Sequence, residues 1–260
     1  FMCLGGLRQR YEYYGFSSGS LFTSFTVTPT NRRHLKNIST EGYAFVPLSE
    51  TWDEGNCRRL YESQKVFARR GDFAEICRTW DARCFVIRKE GEFAGYCVLS
   101  QDKDQASEML LETGVDPGAA ILALVEFCGR EVRFTPSYDQ WQLISALTQI
   151  AEGASFSEGE KIQVLNYPRF TEAFLQLKSD IACLMDGSLA FEVQGQGRFE
   201  IRSEKGRVTV AETDKPAVWS LPHIQAQNRL FGMGQLFHHD SLLENNFLPI
   251  PIVFHAADMV

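Results

Sequence analysis

The chain has 260 residues, of which 44% are apolar and 23% charged, with only 9 prolines. That length and apolar share are enough for one large or two small buried cores and exclude a disordered polymer. The net charge is −7 and no run of lysine or arginine exceeds two residues, which argues against a nucleic-acid or anionic-membrane surface.

The first twenty residues read as the middle of a domain. An apolar strand, Phe1-Met2-Cys3-Leu4, breaks on Gly5-Gly6; a short basic and aromatic helix follows, and Gly15 closes it where a left-handed cap is needed. No room precedes Phe1 for this strand's partner, so the expectation is a chain that lacks an amino-terminal partner. Residues 21–30, rich in β-branched and aromatic side chains and ended near Pro29, predict a strand. Residues 31–40 suit a linker.

A second unit starts with a strand over 42–48 and a helix over 51–70, with Cys57, Leu60, Tyr61, Phe67 and Ala68 on one stripe and Gly71 as its stop. A short helix over 72–80 precedes a hairpin, 83–89 and 93–101, with Glu90-Gly91-Glu92 as a three-residue turn. The pattern then predicts a helix near 104–112, a largely apolar strand over 119–127, and a helix over 138–152. Ser137 would cap that last helix, with Trp141, Ile144, Leu147 and Ile150 inward. Alternating strands and helices point to an α/β unit ending near Leu165.

After a helix over 169–178 the character changes. Leu189, Phe191, Val193, Phe199, Ile201, Val208 and Val210 alternate with polar residues, and the breaks at Gly195-Gln196-Gly197 and Glu204-Lys205-Gly206 divide them into three antiparallel strands. A helix beginning at Ser220, with Pro222 in its first turn, ends near Gly232. The apolar stretches 119–125 and 247–254 fall well short of the roughly 20 residues of a spanning helix, so no membrane span or signal peptide is expected. The seven cysteines (3, 57, 77, 84, 97, 128 and 183) are odd in number and include no Cys-x-x-Cys pair. They read as reduced, mostly buried thiols of a cytoplasmic protein, with no metal site.

The opening strand ending in Gly-Gly, the helix carrying Arg8-x-Arg10-Tyr11, and Tyr14-Gly15-Phe16 together resemble the second half of the acetyl-CoA domain of GNAT-family N-acetyltransferases. Residues 41–165 resemble a degenerate GNAT-like domain, with Gly95-Tyr96 in its central hairpin. Residues 166–260, with Asp186-Gly187 and the strands after it, resemble a sterol carrier protein-like domain. In that order the parts resemble the Eis-like acetyltransferases. The fold class implied is α+β, a GNAT-like mixed domain followed by a sterol carrier-like antiparallel sheet with helices, and residues 1–40 are a remnant of the first domain plus linker.

The resemblance implies acetyl-CoA as co-substrate, a small-molecule or peptide amine as acceptor, and a homo-oligomer. It matches Tyr11 to the family's thiolate-protonating tyrosine; by residue type alone Tyr11 also reads as an aromatic packed under a sheet. In Eis-like enzymes the acid tyrosine follows the glycine of this motif, where this chain has Phe16, so Tyr11 or Tyr14 would have to serve. The family's terminal carboxylate, which helps deprotonate the amine, falls on Val260; an ordinary terminus is the other reading. The pyrophosphate turn of the family, Gln/Arg-x-x-Gly-x-Gly/Ala opening a helix, reads as missing, its nearest string being the hairpin Glu192-Val193-Gln194-Gly195-Gln196-Gly197. Residues 1–260 are therefore expected to bind the cofactor weakly and not to turn over. His238-His239-Asp240 reads as ordinary surface or core-edge residues, because consecutive side chains diverge too far to share one ion. A non-enzymatic module is the alternative function, enclosing a hydrophobic ligand near Leu189, Phe191, Val193, Phe199 and Trp219 or serving as an oligomerisation platform.

Overall fold

A computed structural model describes residues 1–4, 8–19, 21–30, 35–67, 69–78, 81–237 and 240–252. In chain order the elements are β1 (Met2–Leu4), α1 (Arg8–Glu12), β2 (Ser17–Ser18), β3 (Leu21–Val27), β4 (Tyr43–Pro47), α2 (Glu54–Glu62), α3 (Phe73–Ile76), β5 (Arg83–Lys89), β6 (Glu92–Leu99) and β7 (Gln105–Leu111). There follow α4 (Pro117–Cys128), β8 (Val132–Phe134), α5 (Trp141–Ile150), β9 (Gly153–Glu158), β10 (Lys161–Gln163) and α6 (Tyr167–Ile181). The last elements are β11 (Gly187–Val193), β12 (Gly197–Glu204), β13 (Arg207–Glu212), β14 (Trp219–Leu221), α7 (His223–Phe231) and α8 (Leu242–Phe247). Two compact units result, one from Phe1–Leu21 with Glu158–Ile252 and the other from Phe22–Ser157. These divisions fall at 21/22 and 157/158, whereas the sequence suggests 40/41 and 165/166. The cause is strand pairing: β3 joins β8 and β9, and β10 lies between β1 and β2.

The Phe22–Ser157 unit is built on a seven-stranded sheet of order β4-β5-β6-β7-β8-β3-β9. The strands β4 to β7 are antiparallel neighbours, while β7 and β8 run parallel through Gln105↔Arg133 and Ala106↔Phe134. A parallel pair needs a crossover, and α4 supplies it. Alternate residues of β5 go to opposite faces: Phe85 and Ile87 join a core with Ile121, Leu124 and Leu147, and Cys84 and Val86 join one with Tyr61, Phe73 and Tyr96. Helices thus cover both faces of the central strands.

That two-sided burial explains the main departures from the sequence reading. Residues 119–127 are helical: Asp116 caps the helix, Pro117 opens it and Gly129 ends it at φ 66, and burial from Gly118 through Val125 leaves no polar stripe to betray the period. Where the sequence predicts a helix near 104–112, Gln105–Leu111 form β7, a central strand whose pattern is broken by the buried Glu108. The helix expected over 51–70 stops at Glu62, where Ser63 Oγ (2.7 Å) and Gln64 Nε2 (3.0 Å) both donate to the Leu60 carbonyl. The chain is then free to insert Arg70, whose guanidinium makes a two-pronged pair with Glu108 (3.0 and 2.8 Å) and stacks 3.7 Å from the Tyr61 ring. The Tyr96 hydroxyl also donates to Glu108. The hairpin turn is two residues, Glu90 at φ 52 and Gly91 at φ 86, which is the mirror turn whose twist suits strands. Helix α5 starts at Trp141, which is exposed, and buries Leu143, Leu147 and Ile150; Ser137 Oγ donates to Asp139 instead of capping it.

In the other unit the three expected antiparallel strands are β11, β12 and β13, with all seven alternating apolar residues buried. A fourth, β14, runs parallel to β11, so Ser220 is in a strand and α7 begins only at His223. Helix α6, longer at both ends than expected, covers β13: Gln176 and Glu172 accept from the Val208 (2.9 Å) and Val210 (2.8 Å) amides. Near its end the half-buried Lys178 donates to the carbonyls of Phe247 (3.1 Å) and Pro249 (3.2 Å). Burial lowers its ammonium from 10.5 to about 8. The unfolded chain therefore binds more protons between those values, and native stability rises with pH there. Chemical denaturation across this range should show wild type gaining stability relative to Lys178→Met between about pH 8 and 10.5; parallel curves would contradict the assignment.

Candidate functional site

Tyr11 closes the short helix α1, and its carbonyl accepts from the amides of Tyr14 (3.0 Å) and Phe16 (3.2 Å). This folds residues 11–16 into one turn, in which Gly15 takes φ 88, a backbone state that costs a side-chain-bearing residue about 1–2 kcal/mol. The Tyr11 ring is half-buried and meets buried Phe16 edge-on at 6.1 Å. Tyr13 and Tyr14 stand exposed, edge to face at 5.2 Å. The structure thus places Tyr11, Tyr14 and Phe16 in one turn. Val260, Gly5-Gly6 and His238-His239 lie outside the described residues.

The turn is held from elsewhere in the same unit. Gln163 Nε2 donates to the Tyr14 carbonyl at 3.1 Å, while His223 Nε2 and Gln227 Nε2 each donate to the Gly15 carbonyl at 3.0 Å. A carbonyl can only accept, so the His223 proton is on Nε2. The Tyr167 hydroxyl and the Gln196 amide nitrogen each lie 3.0 Å from its Nδ1. Burial keeps the Tyr167 hydroxyl protonated by pushing its pKa far up, and the Tyr167 ring lies flat on Phe199 at 6.1 Å. None of these partners was singled out from the sequence, because nothing local marks residues that meet only after folding.

Beyond the turn, Ser18 faces Lys161 across β2 and β10, and the lysine donates to Ser18 Oγ at 2.8 Å. Ser18 lines a cleft of about 370 Å3 with Asn228, Arg229, Gly232, Met233 and Gly234. Here the sequence reading needs correction: Arg229-Leu230-Phe231-Gly232-Met233-Gly234 matches Arg-x-x-Gly-x-Gly letter for letter. Its geometry differs from a pyrophosphate turn. The string ends helix α7 instead of following a strand, the Gly232 amide is used by Asn228 O (2.9 Å), and the guanidinium is paired with Glu244 (2.7 Å) and Asp240. The Glu192–Gly197 string is the β11–β12 hairpin, as expected.

In the other unit a strand does lead through a loop into a helix, from β7 to α4, beside a cleft of about 840 Å3 lined in part by Met109, Glu112, Gly114, Asp116, Gln140 and Trp141. Parallel β7 and β8 part there, and Gln140 Nε2 reaches the Met109 carbonyl at 3.0 Å. The helix amides are already spent: Asp116 Oδ1 accepts from Gly118 (2.9 Å) and Ala119 (3.3 Å). A phosphate would have to displace a carboxylate of its own charge sign, so this turn does not fit a pyrophosphate. Asp116-Pro117 is the sequence signal that could have located the helix.

The remaining sequence candidates are structural. Burial pushes the Cys3 and Cys128 thiols up to about 11, and Cys57, Cys77, Cys84 and Cys97 are buried. Among the described residues no three His, Cys, Asp or Glu gather as a ligand set, and no helix is long and apolar enough to cross a membrane. Phe191 packs against Trp219 (4.9 Å) and Phe199 (5.6 Å), filling space within the core.

No protein-family model and no curated protein sequence matches the chain. Solved structures do. A GCN5-related N-acetyltransferase from Anabaena variabilis has a TM-score of 0.61 at 14% identity, over 97% of this chain and 70% of that one. Eis1 from Mycobacterium abscessus has 0.58 at 14%, over 96% and 69%. A GCN5-related N-acetyltransferase from Kribbella flavida has 0.57 at 12%, over 96% and 67%. The chain therefore shares the mixed α/β fold of the GCN5-related N-acetyltransferases.

The turn itself can be tested by stability. A Cβ on Gly15 would lie 2.8 Å from Gln163 Nε2 and demand an unfavourable φ, so Gly15→Ala should cost about 1–3 kcal/mol in urea unfolding. An unchanged midpoint and slope would contradict this description.

Proposed function

We propose that this chain is the carboxy-terminal portion of an acetyl-CoA-dependent N-acetyltransferase acting on a small-molecule or peptide amine. The observation that carries the reading is the likeness of the overall fold to solved N-acetyltransferases. In this reading the Phe22–Ser157 unit is a degenerate GNAT-like domain and residues 166–260 a sterol carrier-like scaffold, in a cytoplasmic homo-oligomer.

The proposed chemistry is a single transfer. The amine nitrogen attacks the thioester carbonyl, the carbon–sulfur bond breaks, Tyr11 gives its hydroxyl proton to the departing thiolate, and the carboxylate of Val260 assists removal of the amine proton. The turn that carries Tyr11 is held by His223 and Gln227 through the Gly15 carbonyl. Neither the α4 turn, capped by Asp116, nor the Arg229–Gly234 string, at a helix end, seats a pyrophosphate.

The test fuses a GNAT half-domain carrying the pyrophosphate turn ahead of Phe1 and follows release of the coenzyme A thiol with a panel of primary amines. Turnover is expected, with Tyr11→Phe slowing it by about 10²-fold or more. A fusion that binds acetyl-CoA yet acetylates no amine would overturn the reading. Equal rates in the Tyr11→Phe variant would remove Tyr11 from the mechanism.

A further inference from the structure

A second cleft in the Phe22–Ser157 unit, beside the turn that joins β4 to α2, has no part in the chemistry above. It encloses about 790 Å3, within the usual range for small-molecule sites, and is lined in part by Phe45, Trp52, Arg83, Phe85, Lys103 and Phe127.

Two of these side chains, those of Trp52 and Lys103, rise from braced backbone turns. Trp52 is fully exposed, at 102% of its reference area, yet its backbone is braced. Both the amide and the hydroxyl of Thr51 donate to the Leu48 carbonyl at 3.1 Å, the Asp53 amide donates to Thr51 Oγ1 at 3.3 Å, and Asp53 is ion-paired with Arg88. An indole projected into water from a rigid turn is a stacking platform with no ring on it.

Lys103 sits at φ 57, an unfavourable backbone state for a lysine. Its turn is closed by its own amide on Ser100 O (2.9 Å) and by the Asp104 and Gln105 amides on Ser100 Oγ, each at 3.1 Å. The ammonium is laid 4.2 Å from the Phe127 ring centre and 5.5 Å from that of Phe85. Among the described residues neither Lys103 nor Arg83 is ion-paired with a carboxylate, and Arg78 pairs with Glu75 at 3.5 Å. Of the acids lining the cleft, Glu54 is taken by Arg58 at 3.0 Å, and Glu50 is exposed.

A cleft lined by an open aromatic face and by two cations that have no carboxylate partner among the described residues suits a planar aromatic ring that carries a dianion. We propose that this cleft binds a nucleoside monophosphate, with the base on Trp52 and the phosphate between Lys103 and Arg83. A phosphate, with nearly two charges and three acceptor oxygens, employs both cations, whereas a monoanionic carboxylate would leave one unused.

Calorimetric titration of residues 1–260 with adenosine 5′-monophosphate tests this. Binding is expected at a dissociation constant of about 10–1,000 μM, with adenosine and ribose 5-phosphate each at least about tenfold weaker. Trp52→Ala and Lys103→Asn should each weaken the nucleotide by about tenfold or more. Asparagine tolerates the left-handed backbone, so its effect reports the lost charge, and thermal melts confirm that both variants fold. The proposal is overturned if no heat appears at millimolar nucleotide, if ribose 5-phosphate binds as tightly as the nucleotide, or if both folded variants bind like the parent.

Discussion

The candidate transfer turn depends on two backbone carbonyls. Those of Tyr14 and Gly15 are fixed by donors 149, 208 and 212 residues further along the chain. A five-residue helix has no stability of its own, since nucleation outweighs what one turn of hydrogen bonds returns. The geometry of Tyr11 is therefore a tertiary product, set when Gln163 on β10 and His223 and Gln227 on α7 close over it. Loop-closure entropy grows only logarithmically with separation, so such distant donors cost little more than near ones. Each is in turn oriented: His223 by Tyr167 and Gln196, and Gln227 by the Val164 amide, which donates to its Oε1 at 2.6 Å.

The Phe22–Ser157 unit depends on a different constraint, the Arg70–Glu108 pair, in which each side chain is 1% exposed. Breaking one partner of such a pair leaves an uncompensated charge and costs about 3–5 kcal/mol, although a well-packed apolar pair could match the intact one. The pair fixes where α2 ends, because the 63–72 connection must bring Arg70 under Tyr61, and it pins β7 at the strand whose far end opens the large cleft. At that opening Asp116 satisfies the helix amides from within the chain, so its own carboxylate takes up the donors at the start of α4.

Where one face of a sheet meets water the sequence was readable. The period-two alternation of 187–212 located β11, β12 and β13, and Gly15 located the cap after α1. Where burial is two-sided the pattern lost its phase. The run Ala119–Val125 reads equally as strand or helix, and Glu108 inside β7 looks like a helical surface residue until Arg70 is placed beside it. At the candidate site Tyr11 and Phe16 were visible as a motif, but His223, Gln227 and Gln163 were not, since no spacing rule joins residues that meet only through folding. The Arg229–Gly234 string marks the opposite limit: the letters of a motif are present, and the helix end that carries them denies it the function.

The turn at Tyr11 is held by a run of polar contacts from Gln196 and Tyr167 through His223 to the Gly15 carbonyl. That wiring turns on one proton. Long-range 1H–15N correlation of the His223 ring should show a proton on Nε2, the nitrogen that meets the Gly15 carbonyl. A proton on Nδ1 with Nε2 bare could not hold the Gly15 carbonyl and would contradict the account of how this turn is set.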